Sequence, residues 1–232
     1  CTACVVCRIA NAVRKVPKSA LRERSVKPLS LVHVDICGPF ATSIDGYQYA
    51  MALRCDSTRW TAATFLKARG DAGDALTSLL HDLRDELGRH SARPGAAAVH
   101  HQVGVFQCDN AKEFTSQTGK FAKAVRAAGG TMRFSSAYHH EQQGVIERHW
   151  QTLQAMSRAT LLAADINASW WTHAMRHAVY LTNRLPVGDG LSPYQAITGN
   201  APDLSNVRTF GCKSYVYTDP SRRRPSTVQP LV

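Results

Sequence analysis

The sequence is short of acidic residues and of long apolar stretches. Twenty-eight Lys and Arg stand against 17 Asp and Glu, which gives a net charge of +11 and a pI near 9.6. That imbalance points to a polyanionic partner such as nucleic acid. No apolar run is long enough to span a bilayer and none has the form of a secretory leader, so no membrane partner is expected. The seven cysteines are an odd number, which argues against a disulfide framework. No internal repeat is present. The chain does not begin with Met and reads as a piece of something larger. Its 232 residues suit one catalytic domain with extensions.

Few as they are, three carboxylates stand where chemistry can use them. Leu31, Val32, Val34 and Ile36 read as a buried strand carrying Asp35 and closed by Gly38-Pro39. Val103, Val105, Phe106 and Cys108 form a second short apolar run that ends at Asp109. The third lies in Ser135–Leu153, which opens as a loop, with Gly144 as a breaker, and runs into a helix. Ile146, Trp150, Leu153, Ser157, Thr160, Leu161 and Ala164 fall on one stripe of that helix. Glu147, Gln151, Gln154 and Arg158 form a polar line beside it. Singly, each acid has an ordinary reading: a turn former or cap for an Asp at a strand end, a dipole partner for a Glu in a first helical turn. Two strands and a helix that each carry an acid suggest three carboxylates converging at a sheet end. Like charges so gathered repel unless cations neutralise them, and hard divalent ions take oxygen ligands.

These residues carry a resemblance to the integrases of copia-type LTR retrotransposons, within the DDE retroviral-type integrases. Leu31-Val32-His33-Val34-Asp35-Ile36-Cys37-Gly38-Pro39 resembles the family's first block, and Cys108-Asp109-Asn110-Ala111-Lys112-Glu113-Phe114 its second. Tyr138 through Arg148 resembles the third. Asn183-Arg184-Leu185-Pro186, Ser192-Pro193-Tyr194-Gln195 to Gly199, and Phe210-Gly211-Cys212 resemble the C-terminal blocks. Between Asp109 and Glu147 lie 37 residues, a spacing close to the family's. The chain departs from the pattern with Ala111-Lys112 for Gly-Gly, His140 for Pro, Gln143 for Asn, and Trp150-Gln151 for a polar pair.

The resemblance implies an α/β, RNase H-like fold: a central mixed five-stranded sheet flanked by helices, with a partial N-terminal zinc-finger remnant and a C-terminal extension. The divisions expected are 1–28 for the half finger and basic linker, 29–186 for the catalytic core, and 187–232 for the extension. It implies 3′-end processing and strand transfer that insert element cDNA into host DNA. Asp35, Asp109 and Glu147 would be catalytic and would hold two Mg²⁺ or Mn²⁺ ions. His33, Asn110, Gln143, Arg148, Gln151, Gln154 and Arg158 are the candidate DNA contacts. The partners expected are double-stranded DNA, as cDNA ends and target, and further copies of the chain. The place expected is the nucleus and a cytoplasmic virus-like particle of a eukaryotic host. The competing expectation is an inactive or domesticated integrase-like DNA-binding protein, against which the three intact carboxylates argue.

At the start, Cys1 and Cys4 match the second half of a two-His, two-Cys finger, with Cys7 and Arg8 in place of Gly and Lys. A closed zinc site needs four ligands, so Zn²⁺ is expected only with the His pair upstream. Residues 8–28 hold six of the eleven net positive charges and read as a linker able to meet phosphates. Cys37, Cys55, Cys108 and Cys212 read as small buried hydrophobes. Strands are expected at Gly46–Cys55, Thr61–Leu66 and Thr131–Ser135, and helices at Asp71–Leu87, Gln117–Ala128, 142–164 and 169–185. Arg89–Gln102, with His100 and His101, reads as a loop. Asp56 is the rival to Asp35. His173 and His177, at i and i+4, lack the Glu of a zinc-protease motif.

Overall fold

The structure, a computed structural model, describes residues 25–91, 102–116, 118–134, 144–186 and 190–215. Its centre is β1 (Leu31–Cys37), paired antiparallel with β2 (Tyr49–Cys55) and parallel with β4 (Val105–Cys108). β3 (Thr61–Leu66) extends the sheet beyond β2, and β5 (Thr131–Phe134) runs parallel to β4. The order is β3-β2-β1-β4-β5, a mixed five-stranded sheet. Parallel neighbours need crossovers that pass over a sheet face. Helix α1 (Ala72–Ser91) makes the first, and α2 (Lys112–Thr115) with α3 (Lys120–Ala127) the second. Then come α4 (Gly144–Ala164), α5 (Trp171–Arg184) and α6 (Pro193–Thr198).

Strand alternation sends β1 into both layers. Val32, Val34 and Ile36 join a core with Leu76, Leu80, Leu83 and Leu87 of α1 and Phe121 and Val125 of α3. On the other face, Ala50 and Ala52 of β2 meet Ile146, Trp150 and Leu153 of α4 and Met175 of α5. Small residues on this face of β2 leave room for the large side chains of α4. β3 has the bounds expected, β1 holds the expected apolar run, and the sheet is the one expected. β2 starts at Tyr49 rather than Gly46, because Tyr47, Gln48 and Phe40 serve the preceding turn. Arg89–Ser91, expected in a loop, continue α1, whereas His100 and His101 lie outside the described residues. Helix α2 was not expected; it grows from the turn that Asp109 starts.

The C-terminal blocks prove to be structural joints. Asn183 of α5 is buried and clasps the edge strand through Thr61: its Oδ1 accepts from Thr61 N (2.8 Å) and its Nδ2 donates to Thr61 O (2.7 Å). Arg184 stacks on Tyr180, 3.7 Å from the ring centroid, and lies 5.0 Å from that of Tyr194. Ser192 caps α6 by accepting from Gln195 N (3.1 Å), Pro193 opens the helix, and Gly199 ends it with a φ of +73°. A Cβ on Gly211 would meet Ala164 Cβ at 2.6 Å, so this glycine lets the tail lie against the end of α4. Cys212 is exposed, not buried, because the turn at Gly211 carries it outward; Cys55 and Cys108 are buried and Cys37 is half-buried. His173 pairs with Asp45 (3.0 Å), and the His177 ring packs on Phe210.

Candidate functional site

On the α4 side of β1, alternation brings out His33, Asp35 and Cys37. Asp35 is half-buried and held at both oxygens: Oδ1 accepts from Ile36 N (2.8 Å) and Oδ2 from Trp150 Nε1 (3.0 Å). Trp150 is thus more than the apolar anchor its stripe suggested, and its indole N–H serves at a position where the family pattern is polar. Next along, Cys37 Sγ accepts from Gln154 Nε2 (3.1 Å).

The parallel ladder sets Leu31, Val32 and His33 against Val105, Phe106 and Gln107. Beyond the last pair β1 runs on to Asp35, and β4 ends at Cys108, one residue before Asp109. Asp109 leaves the ladder into an Asx turn, in which its Oδ1 accepts from Ala111 N (3.1 Å). Ala111 has a φ of −65°, so the family's glycine is not needed there. Glu147 is exposed in the first turn of α4. It stands three residues before Trp150, about 4.5 Å along the axis at about 1.5 Å per residue.

The electrostatics tie the three acids together. Burial raises Asp35 from 3.8 to about 6; the charges of Asp109 and, more weakly, Glu147 add to the rise, against the Ile36 and Trp150 hydrogen bonds. Burial and the Asp35 charge likewise raise the Cys37 thiol, and burial with Asp109 raises Cys108. Both cysteines therefore stay protonated beside the cluster. Among the described residues, no group of three His, Cys, Asp or Glu side chains is close enough as it stands to hold a metal ion. In chemistry, however, the donor set suits a hard dication. It is all oxygen, and its Asp35 suffers from its neighbours' charge, which a cation would relieve.

Asp56 is not a substitute for Asp35. Its N donates to Leu31 O (3.0 Å), at the far end of β1, about 13 Å from Asp35 at about 3.3 Å per residue. There it is buried, accepting from Ser25 N (2.8 Å) and pairing with His33 Nε2 (3.1 Å). This corrects the expectation for His33: it is fully buried and tied to Asp56, so it stabilises the strand and does not reach DNA. Gln154 is also turned inward, to Cys37. Asn110, Arg148, Gln151 and Arg158 are exposed, with Arg148 Nε donating to Gly144 O (2.8 Å). Gln143, Cys1, Cys4 and Cys7 lie outside the described residues.

Three further residues, His149, Arg69 and Glu113, take part in buried or ion-pair contacts near the site. His149 is buried on α4, its Nε2 hydrogen-bonded with Thr61 Oγ1 (3.0 Å), and burial with the charges of Arg54 and Arg59 lowers it from 6.5 to about 3. Its position, three residues after Ile146 on the apolar stripe, was the available signal. Arg69 and Glu113 form an ion pair at the sheet end that carries the aspartates. No local pattern links residues so far apart in the chain.

The fold and site define an α/β protein of RNase H-like architecture, with Asp35 near the end of one parallel strand and Asp109 just past the end of its neighbour. No family model matches the chain. It is 27% identical over 223 residues to the retrovirus-related Pol polyprotein from transposon RE1 of Arabidopsis thaliana, which covers 95% of the chain. The corresponding polyprotein from transposon RE2 is 28% identical over 226 residues, and that from transposon TNT 1-94 of Nicotiana tabacum 25% over 205. The chain spans 14% of the length of each of these relatives. Among solved structures, a chain of the simian T-cell lymphotropic virus intasome in complex with PP2A regulatory subunit B56 gamma shares the fold. Its TM-score is 0.57 at 18% identity, over 93% of this chain and 69% of that one.

Proposed function

We propose that the chain is the integrase core of a copia-type retrotransposon, joining element cDNA to host DNA by 3′-end processing and strand transfer. The observation that supports this reading is that Asp35 lies on β1, whose parallel neighbour β4 leads directly into Asp109, and that the charges of Asp109 and Glu147 both raise Asp35. Similarity to transposon Pol polyproteins along nearly the whole chain supports it.

In this reading Asp35, Asp109 and Glu147 hold Mg²⁺ or Mn²⁺. When bound, such ions would supply charge neutralisation for an in-line phosphoryl displacement. The protein's part is positional. Trp150 and the Ile36 amide fix the Asp35 carboxylate, and the Asx turn fixes Asp109. Arg148, Gln151 and Arg158 present donors along the exposed side of α4, where DNA backbone can lie. Integration also implies assembly with further copies on duplex DNA, and work in the nucleus of a eukaryotic host. Zn²⁺ would enter only with a completed finger.

The test is Glu147→Gln, which keeps shape and removes charge. In an assay on labelled duplex ends with Mg²⁺, using protein extended upstream to restore the finger, the variant should lose processing and joining while it still binds DNA. A variant as active as the parent defeats the reading. An inactive parent that binds DNA makes it a DNA-binding relative without catalysis.

A further inference from the structure

We propose that Arg69 is a phosphate contact of the nucleic-acid site, with Glu113 as its positioning residue; this rests on the DNA-joining reading above. Arg69 opens the short turn Arg69–Asp71 that leads from β3 into α1. Its Nη1 donates to Glu113 Oε1, and its Nη2 lies 3.5 Å from Gly38 O. Glu113 stands four residues after Asp109, and Gly38 three after Asp35. The guanidinium therefore bridges the very strand ends that carry both aspartates, and its charge interacts with that of Asp109.

The pair is lopsided in a useful way. The Arg69 side chain is 42% exposed and that of Glu113 only 11%. The carboxylate is turned in and the guanidinium out, so the pair shows solvent its positive end. Tyr49, whose ring centroid lies 5.6 Å from the Arg69 guanidinium carbon, braces the planar group from beneath. A guanidinium has five N–H donors in a fixed fork. Glu113 and the Gly38 carbonyl engage two, and the outer donors suit the paired oxygens of a phosphodiester. A strand brought to a cluster of carboxylates needs such a cation at the rim, because the acids repel its phosphates.

A purely structural clamp between β1 and α2 would have the same contacts, so the test must read charge transfer to DNA. Binding of a short fluorescein-labelled duplex to the 232-residue chain is measured against salt. Arg69→Met should lower the slope of log affinity against log salt by about 0.9, the share of one phosphate, and Arg69→Lys should restore it. A structural clamp would alter thermal stability and leave the slope unchanged. Phenylglyoxal labelling of the unaltered chain gives a second measure that does not depend on folding of the variant: duplex must protect Arg69. An unchanged slope, or equal labelling with and without DNA, overturns the Arg69 inference while joining by the parent leaves the function standing. A parent without salt-dependent DNA binding overturns both.

Discussion

Replacing Asp35 with Asn removes the cost of ionising a buried carboxyl that other acids also face. Asp35 is raised from 3.8 to about 6, first by burial and then by Asp109 and Glu147. A carboxyl whose folded pKa is raised favours the folded state while protonated. Its contribution is full below pH 3.8 and is lost as pH climbs through 6. Two pKa units at about 1.4 kcal/mol each make about 3 kcal/mol in all, of which about 2 fall between pH 4 and pH 7. Asn cannot ionise. It also cannot accept from both Ile36 N and Trp150 Nε1 without strain, so its absolute stability carries an offset of about 1–2 kcal/mol at every pH. The informative quantity is therefore the difference between parent and Asp35→Asn, measured by urea unfolding in EDTA at several pH values. Relative to the variant, the parent should lose about 2 kcal/mol from pH 4 to pH 7. A flat difference would show that Asp35 titrates normally and would refute the raised carboxyl. Adding Mg²⁺ at pH 7 should then stabilise the parent, by about 1.4 kcal/mol at ten times the dissociation constant, and not the variant.

Asn183→Ala leaves the Thr61 N–H and C=O buried without partners, at about 1–3 kcal/mol each; calorimetry should show a fall in Tm of about 2–4 °C per kcal/mol. His149 is lowered to about 3, so its contribution is present above pH 6.5 and drains away as pH falls toward 3, and acid titration of His149→Gln should unfold at lower pH than the parent. Gly73→Ala would put a Cβ 2.4 Å from Lys120 Cβ and 2.5 Å from its carbonyl carbon, separating α1 from α3; denaturant unfolding should show a loss of about 1–3 kcal/mol. Deleting residues 1–28, which carry six of the net positive charges, should flatten the salt dependence of DNA binding.

Much of the sheet was legible because its signals are local. The apolar run Leu31–Cys37 and the Gly38-Pro39 stop define β1, and α1 declares itself by its leucines. A Cβ on Gly38 would meet Gln48 O at 2.7 Å, so the glycine that ends the strand in the sequence also fits its crowded turn. The polar residues were harder to place, because periodicity assigns a face but not a partner. His33 and Asp35 share one face of β1, yet His33 reaches back to a buried acid at one end while Asp35 meets an indole at the other. Trp150 was read by its bulk and Asn183 only by its motif, although each acts through a hydrogen bond across more than a hundred residues. The register that sets β1 beside β4 belongs to the pairing of two distant strands and leaves no mark in either.

That pairing also dictates when the site can exist during folding. β1, β2 and β3 are consecutive hairpin neighbours and can zip locally. β4 must close a loop of about seventy residues before it finds β1, and such non-local pairings are slow to nucleate because their entropy is lost before any contact rewards it. A chain caught before that closure can hold a native-like hairpin sheet and yet keep its two aspartates far apart. Cation affinity would therefore report closure of that long-range pairing rather than the formation of secondary structure.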